Sequence, residues 1–141
     1  MINQIEPWIK EDEIDAVTQC ITSTFVTEGK FTKLFEEKIQ ELHHTKYKPV
    51  AFCNATAAIF SALKVLGIKP NQEVLIPSLT FVATANAIIM AGGIPVCVDI
   101  DRSFNMDLDA VNKYINNNTF AIMPVHLYGH FNTIRCQIAW V

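Results

Sequence analysis

Apolar residues recur at Ile14, Val17, Ile21 and Phe25, the spacing of one helix face, and predict an amphipathic helix over residues 11–24. After the loop Val26-Thr27-Glu28-Gly29-Lys30, Leu34, Phe35, Ile39 and Leu42 stand among charges, which predicts a second one-sided helix with Thr32 as its N-cap. From Lys48 the rhythm changes to apolar strand, small turn and helix, repeated. Strands are predicted at 49–53, 73–76, 94–98 and 120–124, and helices at 56–66, 80–91 and 108–115. Gly67 and Gly92 fall where left-handed C-caps belong. Continuous apolar strands alternating with helices predict an α/β fold, its mostly parallel sheet covered on both faces and preceded by N-terminal helices.

With 141 residues the chain has room for one domain and its core, and not for a second of ordinary size. Half the residues are apolar and 18% are charged, a balance that suits buried strands or a missing partner surface. A net charge of −3 without a cluster of Lys and Arg speaks against a phosphodiester-binding footprint, so no nucleic acid is expected. The stretch 74–98 carries no charge, yet Pro77, Gly92-Gly93 and Pro95 interrupt it. They leave about 12 helical residues, roughly 18 Å, against a bilayer core of about 30 Å, so no membrane span is expected. Cysteines at 20, 53, 97 and 136 form no C-x-x-C pair, and the first residues lack a signal-peptide pattern. A reducing, cytoplasmic setting is expected.

In a parallel sheet a ligand sits at the carboxyl ends of the strands. After the first predicted strand, Asn54-Ala55-Thr56-Ala57 combines helix-start amides, small side chains and a hydroxyl, which suits a phosphate; the alternative is plain N-capping by Asn54. Neither G-x-x-x-x-G-K-[ST] nor G-x-G-x-x-G occurs, so a nucleotide fold of those kinds is not expected. After the second strand Phe81 offers an aromatic ring, for a flat ligand or for the core. Asp99 and Asp101 follow the third strand as caps, turn residues or metal ligands. His126 and His130 have the i, i+4 spacing of a zinc pair, but Gly129 and the strand end argue against a helix there, and no metal is expected. His126 is either a polar group over a ligand ring or a hydrogen-bonded structural histidine.

Together, "FCNATAAIFSALKVLGI", "NQEVLIPSLTFVATANAIIMAGGIPVCVDID" and "TFAIMPVHLYGH", with "STFVTEGKFTKLFEE" ahead of them, resemble the DegT/DnrJ/EryC1/StrS sugar aminotransferases, fold type I enzymes that use pyridoxal 5′-phosphate. The resemblance runs from near residue 5 to about His130. It implies part of a three-layer α/β/α large domain: residues 1–47 as an N-terminal helical segment, 48–130 as an incomplete cofactor-binding domain, and 131–141 as a tail unlike the family. It also implies that the strand at 49–53 lies apart from the next three, beside strands from later in the chain.

For the site, the resemblance places Ala55, Thr56 and Ala57 at the cofactor phosphate, with Ala55 where many members have Gly. Phe81 matches the aromatic that stacks on the pyridine ring, and His126 lies in the strand-end motif near the cofactor. Thr27 and Gly29 match a loop near the substrate, often at the interface of a homodimer. The family's usual reaction moves an amino group from glutamate to a keto group on a nucleotide-linked sugar, with a lysine forming the Schiff base. That lysine and the Asp that pairs with the pyridinium nitrogen are expected beyond residue 141. Lysines 10, 30, 33, 38, 46, 48, 64, 69 and 113 all fall away from predicted strand ends. No catalytic residue is therefore expected within the chain. Its expected role is that of the N-terminal portion of such an aminotransferase, inactive alone. A non-enzymatic partner of a complete aminotransferase and a small phosphate-ligand module are the alternatives.

Overall fold

A computed structural model describes residues 6–131, and the chain divides between Ala51 and Phe52 into two compact units. The tail from residue 132 onward lies outside the described residues.

In the first unit, helix α1 spans Glu11–Thr22. Glu11, Asp12 and Glu13 fill its first turn, where negative charge complements the helix dipole, and the Lys10 N–H donates to the Glu13 carboxylate at 2.8 Å. The helix stops two residues short of the expected 24, because Thr24 takes a left-handed φ of 60°. Phe25 therefore leaves the helix face. None of the residues of α1 is buried, and Ile14, Val17 and Ile21 stand exposed.

Helix α2 spans Lys30–Leu42 with Gly29 as N-cap; Thr32, expected as the cap, lies inside the first turn. The helix keeps its apolar stripe largely exposed and buries a charge instead. Glu36 is its one buried residue, 8% exposed. The Ala51 N–H donates to Glu36 Oε1 at 3.0 Å, and Lys48 Nζ stands 3.3 Å from Oε2. The strand expected at 49–53 does not form. It has no sheet neighbour among the described residues, so its amides find other acceptors, Ala51 on Glu36 for one.

The second unit contains α3 (Ala55–Leu66), β1 (Glu73–Pro77), α4 (Ala83–Ala91), β2 (Ile94–Val98), α5 (Leu108–Tyr114) and β3 (Thr119–Ile122). The strands form a parallel sheet in the order β2-β1-β3. Side chains alternate across β1. Val74 and Ile76 pack with Leu63 of α3, Ile68, and Ile88 and Ala91 of α4, while Leu75 packs with Val98, Met106, and Ala110 and Val111 of α5. Helices thus cover both faces, which is why the strands read as unbroken apolar runs. A register shift between Glu73 and Val74 brings Phe120 and Ala121 to the same core cluster. Among the described residues, no helix is long and apolar enough to cross a membrane.

Two prolines shape the sheet. On the β3 side the last bond runs from the Met123 N–H to the Leu75 carbonyl at 2.8 Å. The next would need an N–H from residue 77, and Pro77 has none, so β3 ends at Ile122 rather than at the expected 124. Pro95 stands within β2 opposite Val74. Helix α4 starts at Ala83, not at 80, since Ser78 to Val82 first turn the chain away from the sheet. Gly67 and Gly92 do end α3 and α4 in the left-handed region, at φ 87° and 92°.

Gly93 answers a different demand. A Cβ there would stand 2.6 Å from Ile68 Cδ1 and 3.2 Å from the Gln72 carbonyl oxygen, whereas at Gly92 it would meet nothing within 4 Å. Gly93→Ala should therefore destabilise by overpacking, about 1–3 kcal/mol, and Gly92→Ala by backbone strain of about 1–2 kcal/mol. Trimming Ile68 to Val in urea-denaturation series should recover part of the first loss and none of the second.

The Ala51 N–H, followed by the Lys48 ammonium, holds the Glu36 carboxyl below its ordinary pKa. A lowered folded-state pKa means that the stabilisation is complete above the unfolded value and fades as pH falls through the folded one. In an NMR titration the Ala51 amide should move with a midpoint below 4.5, the ordinary value for Glu36. The Glu36→Gln variant should show no such inflection.

Candidate functional site

From the carboxyl end of β1 the chain turns to the face covered by α4, and from the carboxyl end of β2 it turns to the face covered by α5. Adjacent strands whose exits part in this way leave a crevice between them, the usual ligand position in an open parallel sheet. The Ser78 N–H closes the base of the crevice on the Val98 carbonyl at 2.8 Å.

Helix α3 delivers its first turn to the same edge. It packs beside α4 against Val74 and Ile76, and its C-cap, Gly67, feeds through Lys69-Pro70-Asn71-Gln72 into the amino end of β1. Asn54 is the N-cap. Its Oδ1 accepts the Ala57 N–H at 2.9 Å, so capping, one of the two alternatives for this turn, is present. Capping does not exhaust the turn. Among the described residues the Ala55 and Thr56 amides donate to no acceptor, and the Thr56 hydroxyl makes no hydrogen bond. Two open amides and an open hydroxyl at the start of a 12-residue helix suit a phosphate oxygen cluster. Ala57, whose amide is committed to Asn54, offers only its small side chain.

Phe81 follows the exit of β1, and the residue is 76% exposed. Among the described residues it lies outside both core clusters. The backbone that carries the ring is held from below: the Thr84 N–H donates to the Phe81 carbonyl at 3.1 Å, and the Thr80 and Thr84 hydroxyls lie 2.8 Å apart. Thr84 itself is buried, a polar group that the sequence pattern of small and apolar residues left unremarked.

His126 lies at the exit of β3, before the turn Leu127–Gly129, and its ring meets Phe131 edge-on at 5.5 Å between centroids. Asp101 serves a turn, the second of its open alternatives. It accepts from the Ser103 N–H and from the Ser103 hydroxyl, and these bonds hold its carboxyl below the ordinary range. Helix capping falls to Asp107, whose Oδ1 accepts the Asp109 N–H at 2.9 Å at the start of α5. In the first unit, Thr27 is exposed and Gly29 stands at the N-cap of α2 in extended geometry, where a Cβ would approach Phe25 Cδ1 to 3.2 Å.

No lysine of the second unit reaches the crevice. Lys64 lies in the last turn of α3, Lys69 precedes β1 and Lys113 lies in the last turn of α5, all at the amino edge of the sheet.

A family model of the DegT/DnrJ/EryC1/StrS aminotransferases matches residues 7–137. GDP-perosamine synthase of Escherichia coli O157:H7 is 38% identical over 127 residues, covering 89% of this chain and 35% of the relative. The 3-oxo-glucose-6-phosphate:glutamate aminotransferase of Bacillus subtilis is 36% identical over 126 residues, covering 89% and 28%. Helicobacter pylori PseC, an aminotransferase involved in the biosynthesis of pseudoaminic acid, superposes with a TM-score of 0.83 at 31% identity, over 91% of this chain and 35% of that one. NtdA of Bacillus subtilis, solved with bound cofactor PMP, superposes with a TM-score of 0.79 at 34% identity, over 89% and 30%. The chain spans about a third of the length of the curated relatives it matches. The ordered motifs, the β2-β1-β3 parallel sheet and the match across residues 7–137 have one account: the chain belongs to the DegT/DnrJ/EryC1/StrS aminotransferase family, whose solved members share the fold type I architecture.

Proposed function

We propose that this chain carries the phosphate and ring subsites for pyridoxal 5′-phosphate of an aminotransferase that passes an amino group from glutamate to a nucleotide-linked keto-sugar. The observation that carries the proposal is the start of α3, where the Ala55 and Thr56 amides and the Thr56 hydroxyl are all open. Names of relatives such as GDP-perosamine synthase support the sugar class.

When bound, the cofactor supplies an electron sink for transfer of the amino group. The chain's own part is to bind and orient it. The Ala55 and Thr56 amides and the Thr56 hydroxyl would donate to phosphate oxygens, helped by the positive end of the α3 dipole. The small side chains of Ala55 and Ala57 leave those donors accessible. Phe81 would cover one face of the flat ring and shield it from water, and His126 would offer a polar contact from the exit of β3. Thr27 and Gly29 belong to the substrate side, in a homodimer.

No lysine of the second unit stands at its crevice edge, so residues 1–141 by themselves are proposed to bind without completing transfer. Incubated with the cofactor, glutamate and keto-sugar nucleotides, the 141-residue chain should yield no amino-sugar. Product, together with a borohydride-fixed label on one of its lysines, would overturn this part of the proposal.

Binding itself is testable by equilibrium dialysis of pyridoxal 5′-phosphate. Thr56→Ala removes a hydrogen bond to a charged partner, about 1.5–3 kcal/mol, and should weaken affinity by roughly tenfold or more. Phe81→Ala should weaken it by at least the roughly 0.5–1.5 kcal/mol of an aromatic pair. If both variants match the parent chain, the cofactor does not sit here.

A further inference from the structure

Phe81 poses a mechanical problem. A residue that is 76% exposed has little packing around its ring to fix its direction, so its use as a platform depends on the backbone beneath it. That backbone is anchored through one buried residue. Thr84 lies in the first turn of α4 and is 5% exposed, and its amide donates to the Phe81 carbonyl at 3.1 Å. Its hydroxyl meets the Thr80 hydroxyl at 2.8 Å, and the Thr80 hydroxyl lies 3.4 Å from the same Phe81 carbonyl oxygen. Residue 81 is thus gripped through its own carbonyl and through the residue before it.

Burial makes the grip specific. The hydroxyl of a buried residue, paired among the described residues with one other hydroxyl, loses that partner at the cost of desolvation. The pair therefore disfavours any other path for residues 80 and 81. Helix α4 has no side-chain N-cap, so among the described residues no other side-chain bond fastens the loop to it.

We propose that Thr84 is a positioning residue: through its hydroxyl contact with Thr80 it fixes the backbone at Phe81 and so aims the exposed ring at the cofactor plane. This rests on the cofactor function proposed above. The grip touches the ring subsite and leaves the phosphate turn at Ala55 and Thr56 alone, so the two subsites should respond differently.

The test uses the full 141-residue chain, the isosteric Thr84→Val, and Thr84→Ser, which keeps the hydroxyl. Pyridoxal 5′-phosphate affinity is measured by dialysis, and inorganic phosphate affinity by the shift of the Thr56 amide in NMR. A fluorine label on the ring of residue 81 reports its order. Thr84→Val should weaken pyridoxal 5′-phosphate binding roughly two- to tenfold, the range of one neutral hydrogen bond, and leave phosphate binding unchanged. Thr84→Ser should restore it. The fluorine line should be single in the parent chain and in Thr84→Ser, and broadened or split in Thr84→Val.

Equal loss for both ligands would make Thr84 a general stability residue and overturn the proposal, as would no loss or no rescue by serine. If Thr84→Val fails to fold, Thr80→Val removes the same contact from the more accessible side and is held to the same outcomes. A parent chain that bound no pyridoxal 5′-phosphate would sink the cofactor function. The fluorine lines would still decide the positioning: a line that changes with valine supports it, and one that does not overturns it.

Discussion

Strand β1 must satisfy its backbone on both sides and bury its side chains on both faces at once. Val74, Leu75 and Ile76 are buried, the first and third against α3 and α4 and the second against α5. Five residues thereby set the positions of three helices, and the register with β2 and β3 sets where their exits fall. The candidate site is a product of that arrangement. It is built from the segments that must leave the sheet where β1 and β2 end, together with the helix start that arrives beside them.

The termini of the elements are governed by local chemistry rather than by the core. Left-handed glycines end α3 and α4, and a proline without an N–H ends the pairing of β1 with β3. Asn54 satisfies one of the orphan amides of α3 and leaves its two predecessors open. A helix start closed completely by side chains would be more stable and would leave no donor open to a ligand. Stability left unclaimed at a binding surface is a common trade.

Elements whose signal lies within the segment were legible in the sequence. The apolar runs of β1 and β2, the cores of α3 and α5 and both glycine caps sit where periodicity and turn chemistry put them. The failures share a cause in partners that lie elsewhere. Residues 49–53 have every property of a strand except a neighbour, and pairing cannot be read from one strand. The early end of β3 depends on Pro77, some 45 residues away, and the start of α4 depends on how the chain leaves β1. At the site, Asn54 and Phe81 announced themselves by residue type and position. Thr84 did not, nor, in the first unit, did Glu36. A threonine in a helix and a glutamate on an amphipathic face are ordinary until the fold buries them.

Pro95 has a bearing on how molecules of this chain meet one another. The Ile94 N–H is turned inward, donating to the Gln72 carbonyl at 2.8 Å, so the alternation of the strand turns the nitrogen of residue 95 toward the outer edge of β2. A strand arriving from another molecule would meet a gap in the row of donors at that point. The proline thereby acts as a guard against edge-to-edge polymerisation, on the side of the sheet where β2 is the last strand among the described residues.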